Sequence, residues 1–144
     1  YLLMDVLEHV KDDSALLRSV VEGAPRHAQF LITVPAFGFL WSGHDVYLGH
    51  YRRYSLKQIT AVAQHAGLVV RKARYCFGAI FPAVAVARIG QRLLAGNRQP
   101  RSDMQRFSPF LNRLLLAVCR TEEELFTQNR LFGLTALVLG ERSL

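Results

Sequence analysis

The densest reactive chemistry in this chain lies in fourteen residues, Trp41 to Tyr54. They hold His44 and His50, Asp45, Arg52 and Arg53, and three tyrosines. Histidine is the side chain suited to take up and release a proton near neutral pH. A carboxylate beside it, as Asp45 is beside His44, could orient the ring. Arg52 and Arg53 could grip a carboxylate or phosphate with two parallel hydrogen bonds. Trp41 and Tyr54 would line the substrate side of such a site. The alternative is a rigid surface loop pinned by aromatic packing and internal hydrogen bonds. His44 and His50 as a metal pair lack an evident third ligand.

A second polar cluster is Asp5-x-x-Glu8-His9, with Asp12 close behind. Two carboxylates and an imidazole could receive an ammonium group, position a hydroxyl, or hold a divalent cation with oxygen ligands and one nitrogen. Alternatively, Glu8, Asp12 and Asp13 favour the start of the next helix and His9 packs. Other chemistries are absent as motifs: there is no GxSxG, P-loop, HExxH or GxGxxG. Cys76 and Cys119, 43 residues apart, form neither a zinc pattern nor a disulfide framework. They read as reduced core residues, which suits a cytoplasmic setting.

The elements that must position these clusters follow from hydrophobic spacing. Leu2 to Leu7 reads as a buried strand. Asp12-Asp13-Ser14 begins a helix carrying Leu16, Leu17, Val20 and Val21, which Gly23 and Pro25 end. Phe30 to Val34 is a second buried strand, stopped by Pro35. Residues 36–54 read as a long loop. Ser55 caps a helix over Ile59, Val62 and Ala63, closed by Gly67. Leu68 to Tyr75 is a third strand with a solvated face. Phe77 to Ala87 leads into a helix too short for a bilayer, which needs ~20 apolar residues. Gly96 to Phe107 is a basic linker. Ser108-Pro109 starts another helix, and Leu134 to Leu139 is a last strand. Strands alternating with helices predict a parallel α/β sheet. The helical stretch 77–130 would let the last strand pair antiparallel. In such sheets ligands bind at the carboxyl ends of the parallel strands, where both polar clusters fall.

These residues resemble a family. Leu3-Met4-Asp5-Val6-Leu7-Glu8-His9-Val10 resembles the D-x-L-E-H-V segment at the fourth strand of class I S-adenosylmethionine-dependent methyltransferases. Phe30 to Ala36 resembles their fifth strand. Trp41-Ser42 through His44-Asp45, then Gly49-His50-Tyr51-Arg52-Arg53-Tyr54, is similar to a subgroup with a W-S-x-H-D…G-H-x-R-R-Y loop. Asn112, Leu114, Leu115, Glu123 or Glu124, and Phe132-Gly133 resemble its tail. The resemblance implies an α/β fold: part of a Rossmann-like methyltransferase sheet, strands four to seven. The last strand would be antiparallel between the fifth and sixth, preceded by a helical insertion. Residues 1–144 would be the C-terminal part of one methyltransferase domain, with 77–130 the insertion.

The same resemblance implies S-adenosylmethionine as cofactor and a small-molecule methyl acceptor. His44, Asp45 and His50 would be catalytic. Trp41, Arg52, Arg53 and Tyr54 would bind the acceptor or fix the loop, and Asp5, Glu8 and His9 would face the cofactor. In quinone-pathway relatives of this fold an acid-x-x-Glu-His segment holds a metal, which here would be Asp5, Glu8 and His9. The family's GxGxG loop and ribose-binding acid have no counterpart in these residues. The sequence also opens inside an apolar run, so it reads as cut from a longer protein. Alone, the chain is expected neither to bind the cofactor well nor to turn over.

Bulk composition narrows the partners. A chain of 144 residues, 51% hydrophobic, reads as one domain with material for a core. Its formal charge is +7. Arg88, Arg92, Arg98, Arg101, Arg106 and Arg113 face only one acid in their stretch, Asp103, a surplus of five. Anionic partners follow: a lipid-like acceptor, or peripheral contact with an anionic membrane at its cytoplasmic face. A non-catalytic module binding nucleic acid or membrane through these arginines is the alternative. Nucleic acid is disfavoured because no aromatic stacking platform accompanies the charge. Oligomeric state is not legible.

Overall fold

The computed structural model describes residues 1–94 and 108–143. Four strands form one open sheet in the order β1-β2-β4-β3: β1 (Leu2–Met4), β2 (Gln29–Pro35), β3 (Leu68–Cys76) and β4 (Thr135–Arg142). β1 and β2 are parallel, with Leu3 opposite Ile32. β4 runs antiparallel to both β2 and β3, placing Val138 opposite Ile32 and Ala73. The last strand is therefore inserted between its two predecessors, as the resemblance implies, and pairs antiparallel, as the helical stretch before it allows. The α/β class, the open Rossmann-like sheet and the antiparallel closing strand all stand.

Among the described residues five helices connect the strands: α1 (Asp13–Gly23), α2 (Gly43–Leu48), α3 (Leu56–His65), α4 (Phe81–Leu94) and α5 (Pro109–Leu125). Asp12 caps α1 by accepting from the Ala15 amide, 2.9 Å. Ser55 and Gln58 form a reciprocal capping box at α3. Helices α1 and α3 pack on each other, and α3 lies on β3 and β4. Between these layers Leu17, Val21, Phe30, Ile32, Val34, Ile59, Ala63 and Val138 make the core. Along β2 the alternate residues Phe30, Ile32 and Val34 are fully buried, the period of two that a strand imposes.

Three sequence expectations change. β1 ends at Met4, because Asp5 takes a positive φ of 52° and turns the chain into a 3-10 turn, Leu7–His9. The 36–54 loop contains a 3-10 turn, Gly38–Leu40, and the short helix α2. A register shift in β3 between Val70 and Lys72 leaves Arg71 and Lys72 both exposed. Cys76 is buried as expected, whereas Cys119 is half-buried; both are free thiols.

The described helices between β3 and β4 are anchored to one another and to the sheet. The buried Glu122 carboxylate of α5 accepts from the amides of Gly78 and Ala79, 2.7 and 2.9 Å, just before α4. The neighbouring Glu123 pairs with Arg74 of β3. Along the rest of these helices large apolar side chains face outward: Val86 and Leu93 on α4, and Phe110 and Leu114 on α5. The predicted linker, with Arg98, Arg101, Asp103 and Arg106, lies outside the described residues. Among the described residues no helix is long and apolar enough to cross a membrane.

Candidate functional site

The two polar segments singled out in the sequence meet on one rim of the sheet. β1 delivers Asp5 to that rim, where its amide donates to Thr33 O at 3.0 Å. Its carboxylate accepts from the Thr33 hydroxyl, 3.4 Å. The 3-10 turn then places Leu7 and Glu8 inward and His9 outward. From the other side the Tyr51 amide donates to Glu8 O at 2.7 Å, which clips the loop onto the turn. The rings of His9 and His50 meet edge to face, 4.6 Å between centroids. Lys11 lies over the Tyr51 ring.

Local chemistry explains why the loop is rigid. Ser42 caps α2, its hydroxyl accepting from the His44 amide at 3.3 Å. Asp45 reaches back to the Ser42 amide, 2.8 Å. Gly49 ends the helix with a φ of 72°, a left-handed conformation that glycine adopts without strain. That turn sends His50 back toward Asp45. The Asp45 carboxylate, 0% exposed, accepts from Arg53 Nε at 2.7 Å and bonds His50 Nδ1 at 3.0 Å. Arg88 of α4 approaches it at 3.5 Å and donates to Leu40 O at 2.8 Å. Burial alone would raise the Asp45 pKa. The Arg53 hydrogen bond and charge, the His50 bond and the Ser42 amide outweigh it and hold the carboxyl below its ordinary value.

These bonds place the expected site residues. Asp45 orients His50 and not its neighbour His44. His44 is half-buried at the start of α2, where its amide bonds the Ser42 cap. Arg53 is not turned toward an acceptor: it is buried on Asp45 and donates to Ala36 O at 3.1 Å. Tyr54 is buried as well, its hydroxyl donating to Asp13 at 2.7 Å. Burial, then the bond to Asp13, push that phenol well above its ordinary pKa. Tyr54 also exchanges backbone hydrogen bonds with Pro35 and Phe37, a one-residue extension of β2. Arg52 donates to Asp13 at 3.2 Å and to Lys11 O at 2.5 Å. The Arg-Arg-Tyr run is thus bonded within the protein, Arg52 and Tyr54 to Asp13 and Arg53 to Asp45. Trp41 stands half-buried where the Gly38–Leu40 turn ends.

Glu8 is the anomaly. It is 0% exposed, and neither carboxylate oxygen has a hydrogen-bond partner. Burial, with no direct cation contact to offset it, pushes its pKa from 4.5 up to about 7. Glu8, His9 and His50 each offer a ligand atom within 4.8 Å of the others. His50, 42 positions on from Glu8, joins Glu8 and His9 in this group, whereas the sequence pointed to Asp5 beside the same two residues. Sequence reasoning missed that partnership because 42 residues separate Glu8 from His50.

Beside this group an aromatic cluster lines the same rim. Phe37, at the carboxyl end of β2, stacks on Tyr75 and contacts Phe39 and Phe81, and Phe81 contacts Phe132. Phe39 and Phe132 remain exposed.

The chain matches no protein-family model and no curated protein sequence. Solved structures do share its fold. Phosphoethanolamine N-methyltransferase 2 of Haemonchus contortus, solved with S-adenosyl-L-methionine, is 16% identical with a TM-score of 0.51. The match covers 99% of this chain and 33% of that one. A SAM-dependent methyltransferase from Archaeoglobus fulgidus is 13% identical, TM-score 0.50, covering 98% and 57%. The [4+2]-cyclase SpnF is 13% identical, TM-score 0.51, covering 99% and 50%. The chain spans between one third and just over half of the length of these structures. At such identities the likeness establishes the fold alone, and a cyclase among them illustrates that fold does not fix chemistry.

Proposed function

We propose that this chain supplies the acceptor side of an S-adenosylmethionine-dependent methyl-transfer site. The observation that carries the reading is the convergence of the Glu8–His9 turn and His50 at the carboxyl ends of β1 and β2. The likeness of the sheet to methyltransferase structures supports it. When bound, the cofactor supplies an electrophilic methyl group on a sulfonium. The acceptor's oxygen or nitrogen forms the new bond to that carbon as the carbon–sulfur bond breaks, and the electron pair stays on sulfur. The chain's own part is to orient the acceptor and take its proton. His50 suits the second task better than His44, because Asp45 holds its Nδ1 and leaves Nε2 to act as base. Asp5, exposed at the rim beside Glu8 and His9, suits a cationic group of the cofactor.

The cradle in these residues is partial, since their sequence holds no GxGxG loop. Titration of S-adenosylmethionine into the 144-residue chain is expected to show no micromolar binding. A polypeptide joining the chain to a glycine-rich cofactor-binding half is expected to release S-adenosylhomocysteine in the presence of acceptor. His50→Ala in that polypeptide should lower kcat by about 10²–10⁴-fold, the usual contribution of a general base, with cofactor affinity kept. Unchanged turnover in His50→Ala would remove the assignment.

The acceptor side favours an apolar, lipid-like molecule. The Phe37–Phe39–Phe81–Phe132 cluster borders the rim, and the outward apolar residues of α4 and α5 continue from it with Arg92, Arg113 and Arg120 nearby in sequence. Nucleic-acid binding is not favoured, because many arginines are already engaged within the protein. Arg52, Arg53, Arg71 and Arg74 pair with carboxylates, and Arg142 donates to Glu22 O and Ala24 O. Co-sedimentation with phosphatidylglycerol vesicles is the expected behaviour. Leu93→Glu with Phe110→Glu should abolish it. Salt-sensitive binding to DNA or RNA without vesicle binding would reverse the reading.

A further inference from the structure

We infer that Glu8, His9 and His50 form a binding site for a divalent first-row transition ion, with zinc the expected occupant. Three independent features converge there. First, the ligand atoms of the three side chains lie within 4.8 Å of one another. Second, both oxygens of the fully buried Glu8 carboxylate lack any partner. A native fold that buries an orphaned carboxylate carries a penalty of several kcal/mol unless a cation compensates it. Third, His50 is already oriented as a metal ligand. Its Nδ1 is held at 3.0 Å by the buried Asp45. The other nitrogen is then the one left for an ion. A carboxylate behind a histidine is the usual arrangement of ligands around zinc, where it fixes the tautomer and raises basicity.

The donor set decides the metal. Two imidazoles and one carboxylate suit zinc, iron(II) or cobalt(II), with an open fourth position. Magnesium and calcium prefer all-oxygen shells, and Asp5, the further oxygen donor expected from sequence, is not part of this group. Zinc–ligand bonds of about 2.0–2.2 Å put tetrahedral ligand atoms roughly 3.3 Å apart. The three groups therefore need close by no more than about 1.5 Å. Glu8 and His50 are held by the clip at Tyr51 and by Asp45. His9 is exposed at the end of its turn and free to supply that movement by rotating its side chain. An ion and a proton compete for the same His50 nitrogen. In the loaded site coordination would acidify an acceptor hydroxyl at the open position, and its proton would pass to solvent; in the unloaded site the same His50 nitrogen would take it.

Equilibrium dialysis of the 144-residue chain against Zn²⁺ tests the site, with neither cofactor nor acceptor present. Its failure is thus separate from any failure of methyl transfer. One Zn²⁺ per chain is expected, in preference to Mg²⁺. Glu8→Gln and His50→Ala should each weaken binding at least tenfold, and His65→Ala, on the exposed end of α3, should leave it unchanged. Co²⁺ should give visible d–d absorption that disappears in the same variants. Circular dichroism checks folding, and His9→Ala, a surface change, repeats the readout if His50→Ala does not fold. No bound Zn²⁺, or binding indifferent to Glu8, His9 and His50, overturns the site.

Discussion

Asp45→Ala is expected to cost the chain about 3–5 kcal/mol of folding stability, the range for removing one member of a buried ion pair. No other side chain in the loop is so heavily used. Its two oxygens serve Arg53, His50, Arg88 and the Ser42 cap. Without them the buried Arg53 guanidinium keeps only Ala36 O, and the loop loses its centre. Asp45→Asn retains an oxygen for the Ser42 amide, worth about 1 kcal/mol as a cap, and should recover no more than that. The sign with pH follows from the lowered pKa. The Asp45 contribution is fully present above the ordinary carboxylate value of 3.8 and is lost as pH falls through the lower folded value. Wild type should therefore lose stability in strong acid more steeply than Asp45→Ala. Urea denaturation across pH reads both effects. A loss under 1 kcal/mol at pH 7 would mean that the loop is held elsewhere.

The order of strands and helices was legible because hydrophobic spacing reports it directly. Leu16, Leu17, Val20 and Val21 could only share a face on a helix, and Phe30, Ile32 and Val34 only on a strand. Ser55 and Gly67 marked the bounds of α3 for stated steric and hydrogen-bonding reasons. Helix α2 was missed although Ser42-x-x-Asp45 is a capping-box pattern, because six residues are too few for a visible period. The side-chain partnerships were less legible still. Adjacency suggested His44 with Asp45, but successive helical residues point about 100° apart, and the Gly49 turn returned His50 instead. Tyr54 and Arg52 find Asp13 across 41 and 39 residues. Such pairings depend on how strands stack, which residue spacing does not encode.

The same reasoning separates what the loop is for from what it is made of. Arg52, Arg53 and Tyr54 looked like recognition groups because their chemistry suits anions. In the fold the anions they find are Asp13 and Asp45. Those bonds brace the loop whose Tyr51 amide is clipped to Glu8 O. Side chains suited to recognition can thus also brace a backbone, and the groups that stand out are those whose partners are missing.

Glu8 is the clearest such group, and replacing it should stabilise the metal-free chain. Glu8→Met puts a flexible apolar side chain of similar length where an unpaired carboxylate now sits. At pH 8 the gain is expected to be about 3 kcal/mol, from a shift of pKa from 4.5 to about 7 at roughly 1.4 kcal/mol per unit. The folded chain holds the Glu8 proton up to about pH 7, whereas the unfolded chain releases it near 4.5. The Glu8 contribution to wild-type stability therefore declines as pH rises from 4.5 to 7 and levels off above it, and that decline is absent from Glu8→Met. The gain from the substitution should all but vanish at pH 4. Saturating Zn²⁺ should narrow that gap at pH 8: an ion at 100 times its Kd adds about 2.7 kcal/mol to wild type and less to Glu8→Met. Thermal melts at pH 4 and 8, with and without Zn²⁺, separate the terms. A Glu8→Met chain less stable than wild type at pH 8 without metal would show that the carboxylate has a partner within the protein after all.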